Sequence, residues 1–200
     1  MKAILFLSAL LLLVSCTSSQ RLLIRQVDKS GTEASPEDST LRVLQNHSQL
    51  LLIFVNENFL FSRVRSYNIL AYHKGKWTAI LYGAGNMIRP GSGLPETPVT
   101  YDSFAVSQQN CDSLQSYLLD NRIWAVPGDD GKHFCPDTIS GCTLKNGTRW
   151  RLLIMTPGKM IDRSYYAPEF FEKCCPGNPE RKIFTEACKK IEALLIRAAG

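Results

Sequence analysis

Residues 150–155 read Trp-Arg-Leu-Leu-Ile-Met, a stretch that is apolar on both sides when the chain is extended. Because side chains alternate along a strand, the even-numbered residues lie on one face and the odd-numbered residues, including Arg151, lie on the other. Residues 77–82, Trp-Thr-Ala-Ile-Leu-Tyr, show the same two-sided pattern. A sheet with one wet face alternates between apolar and polar residues. We therefore expect a second layer over the other face, formed by the chain's own helices or by a partner or ligand.

Turn residues predict antiparallel hairpins around these two strands. His73-Lys74-Gly75-Lys76 and Thr156-Pro157-Gly158-Lys159 each separate two apolar segments, and Asn146-Gly147 is the strongest short hairpin signal in the chain. The predicted strands cover residues 50–55, 67–72, 77–82, 101–107, 142–145, 148–155 and 160–166.

Three helices are predicted from capping residues and apolar spacing. Ser35-Pro36-Glu37-Asp38 combines a serine cap, a proline at the first helical position and acids in the first turn, and this helix is expected to end near His47. Asp112-Ser113-Leu114-Gln115 resembles a capping box, and Asn178-Pro179-Glu180 begins the last helix. The residues expected to face inward are Leu41, Val43 and Leu44, then Leu114, Tyr117 and Leu118, then Ile183, Phe184, Ala187, Ile191, Leu194 and Leu195.

Together these elements predict an α+β fold in which helices pack on one or more antiparallel sheets. The Pro- and Gly-rich segment that begins at Arg89 separates an N-terminal unit, residues 35–90, from a C-terminal unit, residues 91–200, and the two could form one continuous domain. An offset of 73 residues superimposes Trp77 on Trp150 and repeats the order of elements. The units are therefore either tandem helix-plus-meander duplicates or similar only by chance composition.

The first 16 residues form a leader. Lys2 precedes an apolar run, Ala3–Val14, that is too short to cross a bilayer and is typical of a secretory signal. The tetrapeptide Leu13-Val14-Ser15-Cys16 resembles the lipobox of bacterial lipoproteins. That resemblance implies that residues 1–15 are a signal peptide, that Cys16 carries fatty acyl chains, and that residues 16–34 are a lipid-anchored tether. A plain secretory signal is the alternative.

The lipobox resemblance also implies a location. Thr17 follows the cysteine where an aspartate would favour retention in the inner membrane, so we expect attachment to the outer membrane. No acidic cluster follows Cys16, which favours the periplasmic side. The membrane is then the first expected partner.

Six cysteines follow the anchor, which is typical of a disulfide framework in an exported chain. Cys135 and Cys142 flank a short turn-rich loop and are the first expected bridge. Neighbouring cysteines have Cα atoms about 3.8 Å apart, below the usual disulfide range, so Cys174 and Cys175 should have separate partners. Metal binding and thiol chemistry are the alternatives to structural bridges. The disulfide candidates are Cys111, Cys135, Cys142, Cys174, Cys175 and Cys188, and Cys188 lies on the apolar face of the last helix, which favours a buried bridge.

Charge and motifs limit the classes of function that are expected for this chain. The net charge of +5 is scattered without a run of like charges, so we expect no nucleic-acid partner. The signatures of nucleotide binding, serine hydrolases and zinc proteases are missing, so no catalytic residue, cofactor or metal is predicted. We expect a non-catalytic binding or assembly module whose partner is an envelope protein or a glycan. Two alternatives are an inhibitor that acts through an exposed sheet face, and an enzyme that uses His133 with nearby aspartates or the Cys174-Cys175 pair.

Overall fold

The computed structural model describes residues 18–57, 64–85, 100–129 and 147–199, together with Cys135, Cys142 and Leu144. In chain order the elements are α1 (Ser18–Ser30), β1 (Thr32–Glu33), α2 (Ser39–His47), β2 (Leu50–Glu57), β3 (Val64–His73), β4 (Lys76–Gly85), β5 (Thr100–Val106), α3 (Gln108–Asp120), a 3₁₀ turn (Ile123–Ala125), β6 (Arg149–Thr156), β7 (Lys159–Tyr166), α4 (Pro168–Cys174) and α5 (Pro179–Ala199).

The strands of the described residues form one antiparallel sheet in the order β1-β7-β6-β2-β3-β4-β5. The hairpins β3–β4 and β6–β7 turn at Lys74-Gly75 and Pro157-Gly158, as the sequence predicts. Lys74 and Gly75 have φ values of 47° and 80°, which suit a two-residue type I′ turn, and Gly158 has a φ of 80° after a proline, which suits type II. The predicted α+β class is confirmed.

The central strands of this sheet are buried on both faces, as their two-sided apolar pattern predicts. Each face has its own apolar cluster, and because neighbouring residues of a strand point to opposite sides, β2 and β6 contribute to both clusters. The first face is defined here by Leu50, Leu52, Phe54, Leu152 and Ile154, and the second face by Leu51, Ile53, Val55, Leu153 and Met155.

Three helices cover the first face. α1, α3 and α5 each place an apolar stripe against the sheet, and each fully buried aliphatic or aromatic side chain contributes about 1.5–3 kcal/mol relative to exposure. The buried side chains of these helices include Leu23 and Val27, then Leu114 and Leu118, then Phe184, Ala187, Ile191 and Leu195. The predicted last helix, with Asn178 Oδ1 accepting from the Arg181 N–H at 2.8 Å, is confirmed.

The short helix α2 packs on the second face. Leu41 is buried there, and Gln45 Nε2 donates to the Thr156 carbonyl at 3.0 Å. Nine residues make a helix only about 13 Å long, so α2 spans a part of this face. Val43, which was expected to face inward, is 56% exposed, because the inner side of α2 is occupied by Leu41 and Gln45.

The tether expected over residues 16–34 is wrong for its described part. Residues 18–30 form α1, and Thr32 and Glu33 pair with β7. Leu23 and Val27 are fully buried in the first-face core. α1 ends at Gly31, whose N–H donates to the Val27 carbonyl, and a Cβ at Gly31 would lie only 2.6 Å from that oxygen. The folded domain therefore begins almost directly after Cys16.

Two predicted helix starts are displaced. α2 is capped by Asp38, whose Oδ1 accepts from the Leu41 N–H at 3.0 Å, and not by Ser35. α3 is capped by Ser107, five residues before the predicted cap at Asp112, and its hydroxyl accepts from the Asn110 N–H at 3.4 Å. In both places several residues of capping type stand close together, and tertiary packing selects one of them.

One sheet joins the two expected units. β2, from the N-terminal unit, lies between β3 and β6, so residues 35–90 and 91–200 share a core; most of the expected boundary, residues 86–99, lies outside the described residues. The helices that a 73-residue duplication would make equivalent, α2 and α3, pack on opposite faces. Cys142 and Leu144 are not in a strand, and β6 pairs with β2 and β7 instead of a strand at 142–145. The structure thus gives no support to equivalent tandem units.

Candidate functional site

A charged cavity of about 530 Å³ opens on the second face, at the end of β2, β6 and β7. Its lining side chains follow from strand alternation: β6 continues the second-face positions Met155 and Leu153 through two arginines. The cavity is lined by Glu57, Gly128, Asp129, Arg149, Arg151, Asp162 and Ser164. The apolar part of the second face therefore ends in a patch of alternating cations and carboxylates.

Arg151 is the fixed centre of this cavity. Its Nε donates to Asp162 Oδ1 at 2.9 Å, and a second guanidinium nitrogen, Nη2, contacts Asp162 Oδ2, which makes the pair bidentate. Glu57 Oε1 lies 4.0 Å from Nη1 of the same guanidinium, and its side chain is 8% exposed. The hydrogen bond that Arg151 donates to Asp162 raises the pKa of Arg151 above its already high ordinary value. The guanidinium plane is thus held in one orientation with its charge retained.

The wall of the cavity comes from the segment that follows the 3₁₀ turn. The Asp129 N–H donates to the Ser164 carbonyl at 2.7 Å, and Asp129 Oδ2 accepts from the Tyr166 N–H at 3.0 Å. This pairs residues 128–129 with the outer edge of β7. Arg149 Nη1 donates to the Ser164 hydroxyl at 3.1 Å across the cavity floor.

A second, narrower cavity of about 300 Å³ adjoins the first. The two share Arg151, and the narrower cavity adds Asp38, Tyr67, Leu153 and Met160, together with residues 35–37 and Leu41. We call the two cavities together the second-face trough. It runs from Asp129 at the edge of β7 toward the start of α2.

Two stacked tyrosines support the narrow part of the trough. The rings of Tyr67 and Tyr82 lie 5.3 Å apart, and the Tyr82 hydroxyl donates to Asp38 Oδ2 at 3.0 Å. Burial raises the pKa of Tyr82. Asp38 therefore has two roles, since its other oxygen caps α2, and the helix is tied to the sheet at this point.

Four of the six cysteines form a compact sulfur cluster beside α4. The disulfides are Cys135–Cys175 and Cys142–Cys174. Separate partners for the adjacent cysteines are thus confirmed, whereas the expected Cys135–Cys142 bridge is wrong. The Sγ atoms of Cys135 and Cys142 lie 3.5 Å apart, because their partners Cys175 and Cys174 are neighbours at the end of α4.

The remaining two cysteines are free thiols. Cys111 on α3 and Cys188 on α5 are both buried in the first-face core, so the buried bridge expected at Cys188 is wrong. Burial raises the pKa of Cys111 to about 12 and that of Cys188 well above its ordinary value. Both thiols are therefore protonated near neutral pH.

Among the described residues, the three sulfurs of Cys135, Cys142 and Cys175 are the one group of potential metal ligands that lie within 4.8 Å of one another. All three belong to disulfides, and a disulfide sulfur lacks the thiolate charge that zinc requires. In this oxidised form the cluster is a structural staple.

The other residues singled out in the sequence do not meet at the trough. His47 is exposed at the end of α2, and His73 is exposed at the end of β3. Cys174 and Cys175 are both bonded. His133 and Cys16 lie outside the described residues.

The trough residues were missed in the sequence because they come from segments that are far apart along the chain, namely residues 35–41, Glu57, Tyr67, residues 128–129 and the β6–β7 hairpin. Arg151 gave the one available signal, because it is the one charged residue in the otherwise apolar stretch 150–155. A scan against protein-family models finds no match for this chain, and a search of curated proteins finds no relative. Among the described residues, none of the helices combines the length and the apolarity needed to span a bilayer.

Proposed function

We propose that this chain is a lipid-anchored protein of the bacterial envelope that binds a polyhydroxylated ligand, a glycan, in the second-face trough without covalent chemistry. The observation that carries the proposal is the fixed Arg151–Asp162 pair beside the buried Glu57 in an open cavity. The lipobox resemblance of residues 13–16 supports the anchor. Thr17 supports attachment to the outer membrane, and the lack of an acidic cluster in residues 17–20 supports the periplasmic side.

The charge of the trough selects the chemistry of the ligand. Two arginines face three carboxylates in the larger cavity, so an anion would meet repulsion and an apolar ligand would leave these groups without water. Sugar hydroxyls both donate and accept hydrogen bonds, so they suit alternating guanidinium and carboxylate groups. Because the side chains are already held by one another, less conformational entropy is lost when a ligand binds.

Two observations bear on the alternative functions, an inhibitor that acts through a sheet face and a thiol enzyme. The large hydrophobic side chains that are exposed among the described residues are Leu22, Val43 and Ile196, none of them aromatic and none on the sheet, whereas an inhibitor surface would need an aromatic-rich sheet face. A thiol enzyme would need a free, exposed cysteine at position 174 or 175, and both are oxidised here. Neither alternative is favoured by the geometry of the trough.

The binding test uses soluble fragments of bacterial envelope glycans and the mature chain carrying Cys16→Ser. We expect wild-type binding in the micromolar range and a loss of at least tenfold for Glu57→Gln and for Arg149→Ala. The matched control is Lys182→Ala, an exposed position on α5 at the other side of the sheet, which should bind normally. Thermal unfolding of each variant checks that the fold is retained.

The proposal of a glycan ligand is overturned if no glycan fragment binds, or if the trough variants bind as well as wild type. The anchor is tested separately by mass spectrometry of the envelope form, which should carry fatty acyl mass on Cys16. Absence of that mass overturns the anchor and leaves the binding test unaffected.

A further inference from the structure

The outer surface of α1 is basic. Leu23 and Val27 face the core, and the opposite side of the helix carries three cations spaced four residues apart, which fall within an arc of about 80°. We call them the α1 basic stripe: Arg21, Arg25 and Lys29. All three are exposed, and Leu22 beside them is 45% exposed.

Among the described residues, no carboxylate forms an ion pair with this stripe. The one acid of α1, Asp28, accepts a hydrogen bond from the Thr156 hydroxyl at 2.5 Å. The ion pairs of the described chain use other cations, namely Arg151, Lys159, Arg181 and Lys189. The stripe is therefore a surface of three unpaired positive charges with an apolar side chain at its border.

The stripe lies close to the position expected for the lipid anchor. α1 begins at Ser18, two residues after Cys16, and two residues span at most about 7 Å. A domain that is moored at Cys16 therefore has the first turn of α1 at the bilayer surface. Because α1 is packed into the core through Leu23 and Val27, it cannot swing away as a free linker would.

We propose that α1 lies along the headgroups of anionic phospholipids through its basic stripe, and that this contact fixes the orientation of the whole domain on the membrane. The inference rests on the acylated Cys16 of the proposed function. Basic residues next to a membrane surface are attracted by anionic lipid, and three of them together strengthen binding by roughly a hundredfold. Acyl chains combined with basic side chains give two independent attachments.

This orientation has a consequence for the trough. α1 packs on the first face of the sheet, whereas the trough opens on the second face. With α1 against the headgroups, the trough points away from the bilayer, at a height of roughly 15 Å set by one helix layer and the sheet. The ligand site is then open to the aqueous compartment.

The first test measures the contact without the acyl chains. Mature full chain carrying Cys16→Ser is sedimented with vesicles of phosphatidylcholine alone or with 30% phosphatidylglycerol, at low and physiological salt. We expect binding to the anionic vesicles, and a loss of more than about a hundredfold for Arg21→Glu/Arg25→Glu/Lys29→Glu, because the variant loses three attractions and gains three repulsions. The matched control reverses the same charge at Lys76, Lys173 and Lys182, which are exposed on other elements, and should bind as wild type does. Equal binding by both triple variants overturns the proposal.

The second test reads orientation in the acylated protein on vesicles. Single cysteines replace Leu22, beside the stripe, and Val43, on α2 over the second face, and their labelling rates with a charged maleimide are compared. We expect Leu22→Cys to be protected several-fold by anionic vesicles and Val43→Cys to react at its rate in solution. Equal rates in protein whose acyl mass has been verified overturn the orientation alone, whereas missing acyl mass overturns the anchor.

Discussion

At the residue scale, the two thiols of the core differ in chemistry from the four bonded sulfurs. Cys111 and Cys188 are buried among apolar side chains, and desolvation is the main cause of their raised pKa values, with Asp112 and Glu192 adding to it. A thiol reacts through its thiolate, so both burial and protonation suppress its reactivity.

We predict that native mature protein carrying Cys16→Ser does not react with a water-soluble disulfide reagent at pH 8, and that two thiols per chain react in denaturant. The reason is that four cysteines are bonded and two are buried and protonated. Absorbance of the released reagent counts the thiols. Rapid native reaction, or zero or six thiols after unfolding, would contradict these assignments.

The raised pKa of Cys111 predicts how the free energy of unfolding depends on pH. The unfolded thiol titrates near 9, whereas native Cys111 titrates near 12, so between these values the unfolded chain binds fewer protons than the native chain. The free energy of unfolding therefore falls as pH rises above 9, by about 1.4 kcal/mol at pH 10 for this thiol. Urea denaturation from pH 8 to 10 measures the fall, and Cys111→Ala should show a shallower slope. An identical slope in that variant would count against the assignment.

At the element scale, α1 is a helix whose packing into the core could not be predicted from the sequence. Its apolar residues Leu23 and Val27 are four apart, as in any amphipathic helix. The helix comes directly after residues 13–16, whose resemblance to a lipobox led us to expect a tether instead. Only the tertiary contacts with α3, β6 and β7 make it part of the core. Propensity alone does not distinguish such a helix from a linker.

We predict that Leu23→Ala lowers the free energy of unfolding by about 2–5 kcal/mol, because it leaves a cavity in a fully buried site. The matched control is Leu22→Ala, one residue earlier and 45% exposed, which should change stability by less than about 0.5 kcal/mol. Urea titration of both variants measures the two losses of unfolding free energy. If the two losses were equal, α1 would not be packed as described.

Other elements were largely predictable because their signals are local. The apolar run of β2, the turns at Lys74-Gly75 and Pro157-Gly158, and the cap at Asn178 each depend on a few neighbouring residues. The trough depends on register: Arg151 meets Asp162 only because β6 and β7 pair in one frame. Likewise, nothing local to Cys135 indicates Cys175 as its partner.

At the scale of the whole molecule, the sulfur cluster forms a small core of its own. Cys142, Ala167, Phe171 and Cys175 pack together apart from the two clusters of the sheet. The two bridges link α4 to the chain near residues 135–142, so they hold one corner of the domain.

We predict that reduction of both disulfides destabilises this corner more than the sheet. Each bridge typically contributes about 2–4 kcal/mol. Hydrogen exchange should show faster exchange of amides in α4 after reduction, while β2 and β6 keep their protection. The variant Cys135→Ser/Cys175→Ser, which removes one bridge, should have an intermediate effect. Uniform loss of protection throughout the sheet would contradict a separate core.

The central place of β2 in the sheet constrains how the chain folds. β2 is hydrogen-bonded on one side to β3, the next strand along the chain, and on the other side to β6. The second pairing can form only after residues 149–156 have been synthesised. Until then a continuous apolar run, Leu50–Val55, has one open edge that another chain could pair with. Such non-local pairing makes folding slow, and a nascent copy is correspondingly prone to aggregate. A holdase chaperone would therefore protect this chain most in the interval before the β6–β7 hairpin forms.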